Sequence, residues 1–304
     1  MPAAEFTSLL LSTRVPATSA NLGPGFDAFG LAVSRYDEVS AQIIDRGLEV
    51  SVTGEGADQV PRDERHLIVR SLRATFDRLG GQPPGLRLSC TNRIPHGRGL
   101  GSSAAAIVAG VELARGLVRG GLILMDDAAA LALASTIEGH PDNVAACLLG
   151  GVTVAWTATD TATATAVRID PDGVLPVLLI PRHESATDAA RAVLPTSVPH
   201  ADAAFNASRS ALLVVALTGR PDLLMTATED RLHQGYRAER IPESSDLVSK
   251  LRAAGLPAVI SGAGPTVLVL ARSSVEAAEV EARCPDGWEC ARLPVAQGAS
   301  TTAG

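Results

Sequence analysis

The sequence predicts an α+β fold in two units. Three observations carry that expectation. Strand-like and helix-like runs are mixed along the whole chain rather than segregated. A Thr/Ala-rich stretch, residues 157–166, breaks the composition near the middle and reads as an exposed hairpin tip or linker. The chain has 304 residues, 46% of them hydrophobic, enough for one large or two ordinary cores. Aromatic residues make up only 3%, so those cores must be built from Ala, Val, Leu and Ile. A boundary at the Thr/Ala stretch gives units of 1–160 and 161–304.

In the first unit, alternating runs predict strands at 10–15, 39–44, 48–53, 86–90 and 151–156. Asp45-Arg46-Gly47 suits a hairpin turn between the second and third. Helical periodicity predicts helices at 67–79, 103–118 and 126–138. In the second unit strands are expected at 174–180, 258–261, 266–271 and 289–293. Helices are expected at 189–194, 202–217, 221–232, 245–254 and 275–283.

Composition removes several function classes. A net charge of −7 argues against nucleic acid or an anionic membrane as partner. Lys250 is the only lysine, in a polar helical stretch away from any glycine loop. A Walker A loop and a protein-kinase site each need a lysine at the phosphates, so neither is expected, and a lysine Schiff base with pyridoxal phosphate is disfavoured. Cys90, Cys147, Cys284 and Cys290 form no C-x-x-C pair and read as reduced thiols of a cytoplasmic protein. The N-terminus has no basic leader, and no run of eighteen apolar residues is present.

The most informative segment is Pro95-His96-Gly97-Arg98-Gly99-Leu100-Gly101-Ser102-Ser103, followed by Ala104-Ala105-Ala106. Spaced glycines let the backbone come close to a ligand, and Ser102 and Ser103 suit a helix N-cap. A helix N-terminus offers free N–H groups and partial positive charge, which cradles phosphate without lysine. A glycine-rich helix entry that binds nothing has the same outline, but the paired serines and the alanine helix favour phosphate.

This segment resembles the second motif of the GHMP small-molecule kinases. Val15 to Asp27, VPATSANLGPGFD, is similar to the first motif in its homoserine kinase form, and Ile260 to Thr266, ISGAGPT, to the third. Glu138 to Val144 with Gly150-Gly151, Thr187 to Pro195, Phe205 to Arg209 and His233 to Arg237 resemble further homoserine kinase segments. The likeness spans nearly the whole chain. It implies an N-terminal domain like domain 2 of ribosomal protein S5, a ferredoxin-like C-terminal domain, and a site between them. Departures are Ala186 where the family often has Ser, Gly235 where it has Pro, and His66 where an Asn commonly lies near the adenine.

The resemblance implies ATP and Mg²⁺ as cofactors, L-homoserine as substrate, a possible homodimer and a place in threonine biosynthesis. It assigns the nucleotide to His66 and to residues 95–105. Ser103 and Glu138 become the Mg²⁺ candidates, where a plain cap and a solvated helix end are the bland alternatives. Asn21 and Asp27 become the homoserine end, Asp27 accepting from the ammonium; a turn carboxylate is its alternative. His140 becomes a substrate contact rather than a base, Thr187 an orienter of the hydroxyl, and Arg191 and Arg237 a clamp for the substrate carboxylate. Surface ion pairs would be the ordinary fate of both arginines. Two rivals stay open: a GHMP kinase for a mevalonate-type acid, and a catalytically silent sensor of the same fold.

Overall fold

The computed structural model describes residues 3–183 and 190–304. Eleven strands among them form two sheets: β1 (Leu11–Ala20), β2 (Phe29–Ile44), β3 (Gly47–Gly54), β4 (Gly85–Asn92), β5 (Val152–Thr157), β6 (Ala164–Ile169), β7 (Leu175–Ile180), β8 (Ala258–Ile260), β9 (Val267–Ala271), β10 (Glu289–Arg292) and β11 (Ser300–Ala303). Helices of eight or more residues are α1 (Leu67–Arg78), α2 (Ser102–Leu117), α3 (Asp127–Glu138), α4 (Asp142–Leu149), α5 (His200–Leu217), α6 (Pro242–Ala253) and α7 (Ser274–Glu281).

The first sheet runs β11-β1-β2-β4-β3, with β5 on the early part of β2 and β6 on β5. Only β3 and β4 are parallel. The expected β2–β3 hairpin is therefore corrected. The chain does turn at Asp45-Arg46, but β4 inserts between the two strands, with Ile44 and Gly47 both opposite Gly85. Gly85 makes room for this: a Cβ there would lie 2.5 Å from the Arg46 backbone.

Helices α1 to α4 cover one face of this sheet. The first three glycine-loop alanines and the run to Leu117 make α2 buried on most sides. Small residues let it sit centrally: Gly110 abuts Ser71 and Ile68 of α1.

The second sheet is antiparallel, in the order β10-β7-β9-β8. Strands β7, β8 and β9 are buried on both faces, and alternate residues go to different cores. Val177, Leu179, Ile260, Val267 and Val269 pack with residues of α6 and α7. Leu178, Ile180, Val259, Leu268 and Leu270 join the cluster that fills the first sheet's helical layer. The two units thus share one continuous core.

The sheets do not part at residue 160. The Thr/Ala stretch is the tip of the β5–β6 hairpin, and β6 lies beyond it in the first sheet. The chain also returns at its end, where β11 pairs with β1. Residues 221–232, expected as one helix, break into short turns at 221–223 and 224–227 and then run irregularly to His233. The expected helix at 189–194 starts outside the described residues, and 192–194 form a turn.

Candidate active site

The glycine loop enters α2 as expected, but the cap differs. Gly101 is the N-cap residue, in the left-handed region at φ 67°, and no side chain caps the helix. The helix starts at Ser102, so neither serine acts as the cap that their type suggested. Gly101 is needed for space as well as φ: a Cβ there would lie 1.9 Å from Thr18 Oγ1. At Gly99 (φ 69°) a Cβ would meet the Ser261 carbonyl oxygen at 2.3 Å. The first amide groups of α2 are left for a ligand.

With no capping duty, the Ser103 hydroxyl donates to Glu138 Oε1 at 2.6 Å. Glu138 ends α3, and Gly139 turns the chain sharply in the left-handed region. Burial pushes the Glu138 carboxyl above its ordinary range, against the Ser103 hydrogen bond and the nearby His140. His140 Nδ1 lies 2.6 Å from Asp142 Oδ1. That hydrogen bond, more than the surrounding carboxylates Glu138 and Asp27, holds the imidazole's pKa up.

The three glycine-rich segments are stitched together by short polar contacts. Thr18 donates its amide to Leu100 O and its hydroxyl to Asn143 Oδ1. Ser261 Oγ bonds Gly99 O at 2.6 Å and Ser19 Oγ at 2.8 Å, all in buried surroundings. Asn21 is engaged through both side-chain atoms: Nδ2 donates to Gly262 O and Oδ1 accepts from the Asp27 amide. These bonds also give it a scaffolding part in the loop. Both it and Asp27 sit at positive φ, 72° and 55°, so this loop is folded tightly around its own hydrogen bonds.

Asp27 leaves that loop toward Arg191, which grips it with two N–H groups at 2.7 and 3.0 Å. Arg237 is buried, 3% exposed, and part of its guanidinium is held by the protein. Its Nε donates to Ala190 O, and one terminal nitrogen reaches Gly262 O and His233 Nδ1. Burial foremost, then Arg191, lowers its pKa. Thr187 lies outside the described residues.

Beside the loop is a cavity of about 280 Å³ lined by Val60, Pro61, His66, Asn92, His96, Ser102 and Ser103, among others. The His66 imidazole is kept neutral chiefly by burial, and its Nδ1 has no hydrogen-bond partner. Of the remaining nucleotide candidates, Gly97, Gly99, Leu100, Gly101, Ala104 and Ala105 lie in or directly after the loop. Arg98 departs from it. Its guanidinium bonds the carbonyls of His96, Pro181 and Arg182, tying the loop to the end of β7. Pro95 faces the same side, away from the cavity.

Two family models match: GHMP kinases N terminal domain over residues 66–151, and GHMP kinases C terminal over 211–290. Homoserine kinase of Streptomyces coelicolor is 56% identical over 302 residues, 99% of this chain and 97% of that one. The chain belongs to the homoserine kinases of the GHMP kinase family. That of Corynebacterium jeikeium is 50% identical over 292 residues, 94% of each chain. Among solved structures, homoserine kinase from Cytophaga hutchinsonii superimposes with a TM-score of 0.84 at 27% identity, covering 98% of this chain and 99% of that one. L. major mevalonate kinase shares the fold at TM-score 0.64 and 17% identity, with 97% of each chain covered.

Residue-by-residue reading missed several members of the site. Thr18, Ser19 and Asn143 lie inside quoted motifs, but their roles are contacts between motifs, which no local pattern signals. His233 opens a quoted motif, and Asp230 lay hidden in the run read as a single helix over 221–232.

Proposed function

We propose that this chain transfers the γ-phosphoryl group of ATP to the side-chain hydroxyl of L-homoserine, giving O-phospho-L-homoserine and ADP. The observation that carries this reading is the Asp27–Arg191 pair at the edge of the phosphate-loop site. A substrate with adjacent ammonium and carboxylate groups matches both charges. His140 lies within electrostatic reach of both Glu138 and Asp27. A mevalonate-type acid has no cation for Asp27. The Ser103–Glu138 pair counts against a silent sensor.

Ser103 and Glu138 fit Mg²⁺: both are hard oxygen donors, they lie 2.6 Å apart, and they bring one negative charge. The ion would neutralise charge between the phosphates. No cluster of three or more His, Cys, Asp or Glu suited to a metal occurs among the described residues. The protein's own part is positioning and charge. The α2 amides hold phosphate oxygens. Asp27 takes the ammonium and Arg191 the carboxylate, which orients the hydroxyl toward the γ-phosphate. His140, its Nδ1 paired with Asp142, is a substrate contact, and the hydroxyl proton passes to a phosphoryl oxygen.

The cavity beside α2 takes the adenine, with His66 at its wall. The product places the chain in threonine biosynthesis. We further propose a cytoplasmic, homodimeric enzyme, with an N-terminal unit of residues 1–160 and a C-terminal unit of 161–304, β6 and β11 reaching back across that division. No helix among the described residues is long and apolar enough to cross a membrane. Incubation with MgATP and L-homoserine, read by mass spectrometry, tests the reaction. Absence of a phosphorylated amino acid at high enzyme concentration refutes it.

A further inference from the structure

His233 is fully buried, and every polar atom of its ring is engaged. Its Nε2 lies 2.8 Å from Gly23 O, in the loop that presents Asp27. A carbonyl oxygen can only accept, so Nε2 carries the proton. Nδ1 is then a lone pair, and it faces an N–H of Arg237 at 3.0 Å. The same Arg237 nitrogen donates to Gly262 O, and Arg237 Nε donates to Ala190 O, the residue before Arg191. Gly262 O in turn accepts from Asn21, which holds the Asp27 amide. Burial, opposed by the carboxylate of Asp230 and reinforced by Arg237, lowers the imidazole's pKa and keeps this neutral tautomer.

Asp230 fixes the turn that carries the ring. It accepts the amides of Leu232, His233 and Gln234 and a side-chain N–H of Asn206. Asn206 also donates to Pro24 O, on the same loop. The result is a continuous path: Gly23 loop, His233, Arg237, then Ala190 and Arg191. Its two ends are the backbones that carry the two groups forming the ion pair, Asp27 and Arg191.

We propose that His233 is a positioning residue for the amino-acid end of the site. Through its neutral imidazole and Arg237, it sets the spacing between Asp27 and Arg191. It touches neither substrate. The alternative is ordinary filling of a buried space, which would affect stability and both substrates together. The proposal rests on the reading of Asp27 and Arg191 as the amino-acid site.

Three substitutions separate the parts of the path. His233→Ala removes both contacts. His233→Gln retains an N–H that can reach Gly23 O, as Nε2 does. His233→Asn retains an acceptor near Nδ1 for Arg237. Losing one buried hydrogen-bonded contact weakens binding roughly tenfold. His233→Ala should therefore raise KM for homoserine about tenfold or more, leave KM for ATP within about twofold and change kcat little. The Gln and Asn variants should each recover part of the loss. Equal effects on both substrates, or no recovery in Gln and Asn variants that melt as cooperatively as the wild type, would overturn the relay.

The unmodified protein provides a second test that does not depend on variant folding. With ¹⁵N-labelled histidine, His233 should show a protonated Nε2 and a bare Nδ1. Its resonances should move on adding homoserine and stay nearly still on adding a non-hydrolysable ATP analogue. The opposite tautomer, or equal movement with both ligands, refutes the proposal. If the wild type forms no phosphohomoserine, the functional reading fails instead, whichever tautomer is found.

Discussion

Replacing Arg191 by Ala separates a substrate-binding role from an ordinary surface ion pair. In the free protein Arg191 is already paired with Asp27 through two N–H groups at 2.7 and 3.0 Å. The side chains are 46% and 33% exposed, so water screens the pair, and such pairs are worth about 0–1 kcal/mol. An incoming amino acid exchanges this one pair for two, ammonium with Asp27 and carboxylate with Arg191. A charge-assisted hydrogen bond contributes about 1.5–3 kcal/mol, more than the pair it replaces. Arg191→Ala should raise KM for homoserine by roughly tenfold to a hundredfold. The analogue 3-aminopropan-1-ol, which lacks the carboxylate, should behave differently. In the wild type its ammonium must draw Asp27 away and leave Arg191 without a partner. In Arg191→Ala that cost is gone, so the analogue should be no worse a substrate than before. Initial rates over a matrix of both acceptors at saturating MgATP measure this. An equal factor of impairment for homoserine and the analogue would refute the exchange.

Glu138→Gln and Ser103→Ala should each lower kcat on the order of 100-fold in steady-state assays while the melting curve stays cooperative. Near-normal turnover at saturating Mg²⁺ would remove the metal assignment. Glu138→Gln should also raise the melting temperature of the ligand-free protein at pH 7. Burial holds the Glu138 pKa above its ordinary value of 4.5, so the stability it contributes is full below that value and lost as pH rises through the raised one. The advantage of Gln should vanish in melts below about pH 4.5. Gly101→Ala forces a Cβ to within 1.9 Å of Thr18 Oγ1 at a φ of 67°, and should abolish nucleotide binding measured by calorimetry.

The sequence made the elements of the site legible far better than their connections. Strands with alternating or continuous β-branched runs, such as β4 and β9, were found because packing rewards that pattern locally. The first half of β2 was not, because FGLAVS is buried on both faces and carries no alternation. Helix α4 was hidden inside a segment read only as a motif. The β2–β3 hairpin failed because a turn specifies where the chain reverses, not which strand fills the neighbouring slot. At the site, Ser103 lies against Glu138, the two residues read together as metal candidates, whereas the Asp27–Arg191 ion pair was not signalled by the sequence. Arg98 and Asn21 are of the right type for ligands, but each also bonds a backbone group more than 80 residues away, which residue type cannot reveal.

The strand β11 closes the edge of β1, with Leu11 opposite Ala303. During synthesis, β1 emerges long before its partner β11. Until β11 follows, the N–H and C=O groups along that edge lack their partner strand, an opening for pairing with another nascent chain. The same β1 continues through Thr18 to the amide that steadies Leu100 in the phosphate loop. Closure of this edge therefore comes late, and the loop's final geometry is coupled to residues translated nearly 200 positions after it.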